Sequence, residues 1–238
     1  QVLAYRRTSK LITTYTDVLT AAVNPQTGRI HTTFGQTSGA TGRLITTDPD
    51  LQKTPISTPE GRRIRQAFIP ADGCRLISAD WSQIELRILA HVSGDPALVE
   101  AFTNGWDIHA RTAAGLFGIP REEVVREQRN VGKTVNFATI YGQGATALAQ
   151  ILGVDRKQAA AWIQAYFVTY AGVRSWLDAT MATAMKTGYV TTMLGRRRYI
   201  PELSSNNVMD REAGKRMAAN TPIQGSAADL CKEVMLAI

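Results

Sequence analysis

Residues 129–142 read "RNVGKTVNFATIYG", and this stretch decides most of what the sequence predicts. Arg129, Lys133, Phe137 and Tyr141 recur at intervals of four, which places them on one face of a helix. Two cations one turn apart repel each other by roughly a few tenths of a kcal/mol unless an anion lies near them. They suit the oxygens of a triphosphate, and the aromatic rings beyond them suit a base or a ribose. The alternative is an ordinary surface helix, which would balance Arg129 with a carboxylate four residues earlier, where the sequence has none.

The chain around this stretch is helical. Gly and Pro separate amphipathic segments from Asp95 to Lys186, which predicts an all-α subdomain. The helix that carries the stretch is predicted over residues 122–141, with Glu122 and Arg126 as an ion pair in its first turns.

The pattern of the first 94 residues predicts a region of helices, short strands and loops. Residues 2–20 have the pattern of an amphipathic helix, and residues 29–34 and 43–46 have the β-branched content of short strands. Loops rich in Gly, Pro, Ser and Thr follow. The segment "CRLISAD", residues 74–80, predicts a short buried strand that gives way to a helix at Trp81.

The last 50 residues predict a hairpin and two helices. "YVTTMLGRRRYIP", residues 189–201, has Gly195 in its turn and three arginines on its return arm. Pro222 is expected to divide the remaining chain into two helices. The sequence stops inside the second helix without a terminating signal, so we expect a cut chain that is incomplete at both ends.

Composition narrows the class of protein. The 238 residues are 44% hydrophobic and carry a net charge of +7, an ordinary globular balance that favours a polyanionic partner without requiring one. Cys74 and Cys231 match no zinc spacing and are expected to be reduced thiols. No apolar run is long enough for a membrane span and no signal peptide is recognisable, so we expect a cytoplasmic protein.

Two carboxylates stand near the predicted strand end. Asp80 could hold Mg²⁺ if another carboxylate joined it, or it could be a solvated loop residue. Glu85 follows Ser82 by three residues, which is the spacing of a capping box. A glutamate in this first turn could also line the same cleft as Asp80, so both roles are open.

The other candidates have a functional and an ordinary interpretation. His109 alone is typical of a histidine satisfied by its neighbours. Arg196, Arg197 and Arg198 could be a solvated basic run or could contact phosphates. Asn220 and Gln224 could read acceptors in a minor groove or could cap the interrupted helix.

Four motifs in order carry a resemblance to a known family. They are "SADWSQIELRILAHVSGD", "DIHARTAAGLFG", "EQRNVGKTVNFATIYG" and "NTPIQGSAADL". Together with "YRRTSKL" and "TGRL" near the start, they resemble the palm and fingers of the family A DNA polymerases. The resemblance covers essentially the whole chain.

The resemblance implies a role for each motif residue. Asp80 would bind both catalytic Mg²⁺ ions, with the backbone carbonyl of Trp81 as a further ligand, although most relatives have Tyr there. Glu85 would be the steric gate that crowds a ribonucleotide 2′-OH. Further contacts to the dNTP would come from His109, Arg129, Lys133, Phe137 and Tyr141. Of these, Lys133 is also a catalytic candidate. Contacts to the primer-template would come from Arg43, Arg216, Asn220 and Gln224.

Some positions depart from the family pattern. Gly132 and Ala138 replace the more usual Ala and Gly, and Lys53 stands where relatives tend to have Asn. The family's third motif, His-Asp-Glu, supplies the second aspartate of the metal site and does not occur in the chain. Because one carboxylate holds two ions too weakly, we expect this chain alone to be inactive.

The resemblance implies an α+β fold of right-hand polymerase architecture, with an antiparallel palm sheet and all-α fingers. The expected divisions are a thumb or linking helix over 1–20, palm over 21–90 and 204–238, and fingers over 91–203. The implied reaction adds dNTPs to a primer 3′-OH and releases pyrophosphate, with primer-template DNA as partner and a monomer as the complete enzyme. The alternatives are a non-catalytic nucleic-acid or nucleotide-binding module and a relative of the single-subunit RNA polymerases.

Overall fold

A computed structural model describes residues 1–238 of the chain. The chain divides into two compact units, Gln1–Trp81 and Ser82–Ile238. It is mostly helical with three small antiparallel sheets, which confirms the predicted α+β class. None of its helices combines the length and the apolar character that crossing a membrane requires.

The first unit opens with a helical stretch that confirms the prediction for residues 2–20. It consists of α1 (Val2–Leu11), a π-helical turn (Ile12–Thr16) and α2 (Asp17–Ala21). None of these residues is buried.

Two small antiparallel sheets follow in the first unit. β1 (Val23–Asn24) pairs with β2 (Arg29–Ile30), and β3 (Thr33–Gly35) pairs with β4 (Ile45–Thr47). The unit then adds α3 (Pro59–Gln66), where the side chain of Thr58 accepts a hydrogen bond from the Gly61 amide. This N-cap and the proline after it explain why the helix begins there.

The strand predicted over residues 74–80 is wrong. This segment has neither strand nor helix geometry, and its side chains are exposed, including Leu76 and Ile77. A strand satisfies its backbone groups through a neighbouring strand, and none of the three sheets includes this segment. The apolar character of this segment therefore predicted a buried strand that has no partner among the three sheets.

The second unit is a helical assembly. Aspartates cap the N-termini of three of its helices, since the side chains of Asp95, Asp107 and Asp155 each accept a hydrogen bond from a first-turn amide. The helices before its hairpin are α4 (Ile84–Ser93), α5 (Pro96–Thr103), α6 (Ile108–Phe117), α7 (Arg126–Ile140), α8 (Ala145–Leu152), α9 (Arg156–Thr169) and α10 (Ala171–Thr187).

Helix α7 begins at Arg126, four residues later than predicted. A short 3-10 turn covers Arg121–Glu123, and Val125 is extended. β-branched residues favour extended backbone, which explains the break. Consequently Glu122 pairs with Arg121 at 2.9 Å, and the predicted pair with Arg126 is wrong.

The main core lies among α4 to α9 and extends to α10 and to α11 (Val208–Ala237) through Val173 and Ile223. Its fully buried side chains include Leu86, Leu98, Ile108, Val135 and Leu148. Helices α6 and α7 approach closely at Gly132, where an added Cβ would clash with the His109 carbonyl oxygen. This close contact lets α6 pack directly against α7.

The second unit ends in a hairpin and one long helix. β5 (Tyr189–Thr191) pairs with β6 (Arg197–Tyr199), and Gly195 has a φ of +84°, which confirms the predicted turn. Helix α11 (Val208–Ala237) continues through Pro222, so the predicted division into two helices is wrong.

Local contacts explain why Pro222 does not end the helix. A proline removes one helical hydrogen bond. Here the Ser226 hydroxyl donates to the Pro222 carbonyl and accepts a hydrogen bond from the Met193 amide of the hairpin. Pro222 and Ile223 are also buried, so tertiary packing holds the helix together across the missing bond.

Candidate functional site

The opening motif forms one wall of a cleft on α7. Lys133, Phe137 and Tyr141 line a cleft of about 430 Å³, together with Asn130, Thr134, Ala138, Gln143 and Ile151. The Phe137 and Tyr141 rings are stacked, with centroids 6.2 Å apart and planes inclined by 18°. Lys133 is exposed and lines the same cleft, so a cation and two nearly parallel rings face the same space.

Arg129 has a carboxylate partner, contrary to the sequence interpretation. Its Nε donates a hydrogen bond of 2.6 Å to Oδ2 of Asp107, the N-cap of α6. The partner lies 22 residues earlier and caps another helix, so the spacing of charges within α7 could not predict it. The Arg129 side chain remains 38% exposed and is thus accessible to a ligand.

His109 lies in the first turn of α6 and is buried. Its Nδ1 is 3.0 Å from Asn136 Nδ2, and its ring lies 6.0 Å from that of Phe137. Burial, together with the nearby positive charges of Arg129 and Lys133, lowers the pKa of His109 from 6.5 to about 4. The imidazole is therefore neutral at pH 7.

A buried polar network holds His109. Asn136 is fully buried, its side-chain oxygen is 3.0 Å from the Thr112 hydroxyl, and that hydroxyl is 3.0 Å from the Tyr170 hydroxyl. Burial raises the pKa of Tyr170 to about 12, so its hydroxyl stays protonated. Sequence reasoning missed Asn136, although a buried amide inside a motif helix could have been suspected from its position on the apolar face.

Glu85 joins α4 to the end of α7, and the predicted capping box is wrong. Helix α4 begins at Ile84, and its N-cap is Gln83, which has a left-handed φ of +57°. Glu85 is 7% exposed and accepts a hydrogen bond of 3.1 Å from the Tyr141 hydroxyl. Because the cap position is Gln83, Ser82 and Glu85 do not have the positions of an N-cap and its N3 residue.

Asp80 and Trp81 are at the end of the first unit. Both are exposed and lie outside helices and strands. The chain contains no group of three His, Cys, Asp or Glu side chains that could hold a metal ion. Arg43, also in the first unit, is exposed just before β4.

The three remaining candidates share helix α11. Asn220 and Gln224 are one turn apart, and Oδ1 of Asn220 is buried without a hydrogen-bond partner. Arg216 is exposed and lines a cleft of about 650 Å³ with Gly142 and Gln143 of the loop after α7. The unpartnered Asn220 acceptor shows that this amide has unused hydrogen-bonding capacity.

The arginine run on the hairpin is mostly occupied within the protein. Arg196 Nε donates to Asp229 Oδ1 at 2.8 Å, and Arg198 Nη1 donates to the Thr221 hydroxyl at 2.8 Å. Arg197 alone of the three is exposed, with its guanidinium 4.9 Å from the centre of the Tyr189 ring. The two alternatives, a solvated basic run and phosphate contact, therefore apply to Arg197 alone.

Comparison with known proteins identifies close relatives. The family described as DNA polymerase family A matches residues 1–238. The chain is 50% identical over 237 residues to DNA polymerase I of Pseudomonas aeruginosa, which covers 100% of this chain and 26% of that protein. It is 48% identical over 236 residues to the thermostable DNA polymerase I of Thermus aquaticus, covering 99% of this chain and 28% of the relative.

A solved structure has the same fold. The POL domain of Pol1 from M. smegmatis, in complex with DNA primer-template and dNTP, superimposes with a TM-score of 0.90 at 46% identity. The match covers 98% of this chain and 41% of that structure. The chain thus spans about a quarter of the length of the curated relatives that it matches.

Proposed function

The chain belongs to DNA polymerase family A, and we propose that it is the nucleotide-binding and template-binding part of a DNA-directed DNA polymerase. In the complete enzyme, a primer 3′-OH attacks the α-phosphate of a dNTP and pyrophosphate leaves. The proposed divisions follow the family: a linking helix over 1–20, palm over 21–90 and 204–238, and fingers over 91–203.

The observation that carries this proposal is the cleft on α7. A triphosphate needs cations and hydrogen-bond donors, whereas a sugar and a base need flat apolar surface. Lys133 supplies an exposed ammonium group on the same cleft wall as the stacked rings of Phe137 and Tyr141. We assign Lys133 and Arg129 to the triphosphate and the two aromatic residues to the sugar and the neighbouring base.

His109 is proposed as a neutral donor to the phosphates. With a pKa of about 4 its ring carries no charge at pH 7, and Asn136 occupies its Nδ1. If Asn136 donates to Nδ1, the proton of His109 is on Nε2, the remaining ring nitrogen. A phosphate at this position would receive a hydrogen bond from the ring without an added positive charge.

Glu85 is proposed to select the sugar. A carboxylate near C2′ of the nucleotide excludes a ribose hydroxyl by crowding and by electrostatic repulsion of its oxygen. The hydrogen bond from the Tyr141 hydroxyl fixes the Glu85 carboxylate, and Tyr141 is itself stacked on Phe137. The three side chains therefore form one connected unit.

The metal chemistry needs more than this chain. Mg²⁺ is the ion that we propose for the complete enzyme, with Asp80 and the Trp81 carbonyl as ligands. The donors present do not fit a pair of ions, because Asp80 is one exposed carboxylate and no cluster of three ligating side chains occurs. We therefore expect this chain to bind dNTPs and DNA without extending a primer.

DNA binding is proposed for Arg43 and for one face of α11. The amides of Asn220 and of Gln224, one turn apart, suit hydrogen bonds to base edges or sugar, and Arg216 suits a phosphate. The net charge of +7 favours a polyanion in general. The complete enzyme is proposed to act as a monomer on primer-template DNA.

A non-catalytic nucleotide-binding module is the second candidate, and the lone Asp80 favours it. It predicts the same nucleotide binding but no activity when the rest of a polymerase is supplied. The third possibility, a relative of single-subunit RNA polymerases, is disfavoured because the relatives found are DNA polymerases and because Glu85 is a poor neighbour for a ribose.

Nucleotide binding by the 238-residue chain tests the proposal. Calorimetric titration with dATP and with inorganic tripolyphosphate should give saturable binding of both ligands, with dATP tighter because of the stacked rings. Lys133→Ala should weaken both ligands by about tenfold, since it removes one charge-assisted contact.

Lys157→Ala is the matched control, because Lys157 is an exposed lysine of α9 outside the cleft. It removes the same charge and should leave both dissociation constants unchanged. Equal losses in the two variants would mean that only net charge matters and that α7 carries no nucleotide site.

A further inference from the structure

Asp107 has two structural roles that use its two oxygens separately. Oδ1 accepts the amide hydrogens of His109 and Ala110 at 2.9 and 3.1 Å, which caps α6. Oδ2 accepts from Arg129 Nε at 2.6 Å. The carboxylate is thus anchored to the start of one helix while it contacts a side chain of another.

The contact to Arg129 is one-sided. Only Nε of the guanidinium is used, and the terminal amino groups of Arg129 make no hydrogen bond within the chain. A carboxylate that competed with a phosphate would occupy the terminal amino groups in the bidentate arrangement that both anions prefer. Asp107 instead leaves the terminal amino groups available.

We propose that Asp107 is a positioning residue for the nucleotide, which orients Arg129 through Nε so that its terminal amino groups are ready for the triphosphate. This inference rests on the proposed function of Arg129. Arg129 has a long side chain with many rotamers. A fixed anion beside it restricts these rotamers before the ligand binds, so that less conformational entropy is lost on binding.

The charges at the site agree with a positioning role. Although partial burial alone would raise it, the pKa of Asp107 lies below its usual range because Arg129 and the α6 amides stabilise the carboxylate. Asp107 is therefore ionised at neutral pH. The neighbouring His109 is neutral, so Arg129 and Lys133 provide the positive charge that a triphosphate meets.

Asp107→Asn separates the two roles. Asparagine is as good an N-cap as aspartate. When its single side-chain oxygen caps α6, however, its amino group faces the Nε donor of Arg129, and two donors cannot form a hydrogen bond. We expect dATP and tripolyphosphate to bind about threefold to fivefold more weakly, and thermal unfolding to change little. Asp107→Ser caps the helix with a side chain too short to reach Arg129. It should weaken the binding of both ligands as much as Asp107→Asn does.

The chain offers a matched control in Asp155. Its side chain caps α9 through the Gln158 amide at 2.8 Å and forms no ion pair with an arginine. Asp155→Asn should therefore leave both dissociation constants unchanged. Calorimetric titration of the 238-residue protein with each ligand, in the same buffer, gives the comparison.

A double-mutant cycle with Arg129→Ala decides the mechanism. Arg129→Ala should weaken tripolyphosphate at least about tenfold, and Asp107→Asn should add nothing in that background, because a positioning residue acts only through its target. Unchanged or tighter binding by Asp107→Asn alone would overturn the proposal, as would a loss that persists without Arg129. If Arg129→Ala itself had no effect, the proposed role of Arg129 would fail, and the positioning role with it.

Discussion

At the residue scale, the imidazole of His109 connects stability to the candidate site. Asn136, Thr112 and Tyr170 hold the ring in a buried network, and Arg129 and Lys133 oppose its protonation. Between about pH 4 and 6.5 the neutral ring is a property of the folded state, because an unfolded histidine takes up a proton near pH 6.5.

His109 should therefore make the protein less stable in mild acid. Its pKa is about 4 in the folded state and 6.5 in the unfolded state, so between these values the unfolded state binds more protons. The stabilisation is complete above pH 6.5 and is lost as the pH falls towards 4, to a maximum of about 3 kcal/mol. Urea unfolding at closely spaced pH values measures the slope.

Two histidine variants isolate this contribution. His109→Gln should flatten the stability profile between pH 6.5 and 4, because the titrating group is gone. His91→Gln removes an exposed histidine of α4 and should leave the slope unchanged. If the His109→Gln profile kept the full slope, the pH dependence would have to come from other groups.

The Glu85 and Tyr141 pair should separate sugar selection from stability. Glu85→Ala removes the carboxylate and should bring the dissociation constants of ATP and dATP closer together. Tyr141→Phe removes only the hydroxyl that fixes the carboxylate and should reduce the selectivity less. Both variants lose the same hydrogen bond and should lose about 1–3 kcal/mol of unfolding free energy.

Titration with both nucleotides and thermal unfolding of each variant give the two readouts. A loss of stability in Glu85→Ala with unchanged preference for dATP would leave Glu85 a purely structural role. The capping-box explanation of its stability effect no longer applies, since Gln83 is the N-cap of α4.

At the scale of elements, α7 shows what local sequence encodes. The period of four residues predicted a helical face, and Lys133, Phe137 and Tyr141 do line one cleft. Periodicity is a property of neighbouring residues, so it can be recognised without tertiary information. The start of α7 could not be predicted as accurately as its face. The residues before Arg126 continue the helical pattern in sequence, but Val125 is extended and the helix begins only after it.

The contacts between elements could not be predicted from the sequence. Arg129 pairs with Asp107 across 22 residues, and Tyr141 with Glu85 across 56 residues. These partners become neighbours only when α6 and α4 pack beside α7, and no local pattern marks them. The same reason explains why Arg196 was expected on the surface, whereas it pairs with the buried Asp229.

The hairpin β5–β6 carries a prediction about DNA binding. Arg197 is its exposed arginine, held over the Tyr189 ring. Arg197→Ala should weaken duplex DNA binding and reduce the slope of log Kd against log salt concentration by about one. Fluorescence anisotropy with a labelled duplex over a series of salt concentrations measures this slope.

Arg156→Ala provides the matched control, because Arg156 is an exposed arginine at the start of α9 with no ion pair. The slope of log Kd against log salt concentration for Arg156→Ala should equal that of the wild type. An Arg197→Ala slope equal to that of Arg156→Ala would exclude the hairpin from the DNA contact surface.

At the scale of the whole molecule, the two units differ in how they are stabilised. Both apolar clusters are built from residues of Ser82–Ile238, among them Leu86 and Ile223 in the larger and Ile200 in the smaller. The first unit has exposed apolar side chains such as Ile69 and Ile77. The proposed metal ligand Asp80 thus belongs to the less buried unit, and the proposed nucleotide cleft to the unit with the larger core.

We propose that this chain can serve as the matching part of a family A DNA polymerase, with Asp80 as a metal ligand of the complete enzyme. The direct test is primer extension by a chimera in which these 238 residues replace the matching segment of the Pseudomonas aeruginosa enzyme. The 50% identity over the full chain makes this exchange feasible.

A labelled primer on a DNA template, incubated with Mg²⁺ and all four dNTPs, gives the result. We predict that the chimera extends the primer, that its Asp80→Ala variant does not, and that the 238 residues alone do not. A folded chimera without activity would show that the chain cannot serve as this part of the polymerase. Extension that survives Asp80→Ala would show that Asp80 is not a catalytic metal ligand.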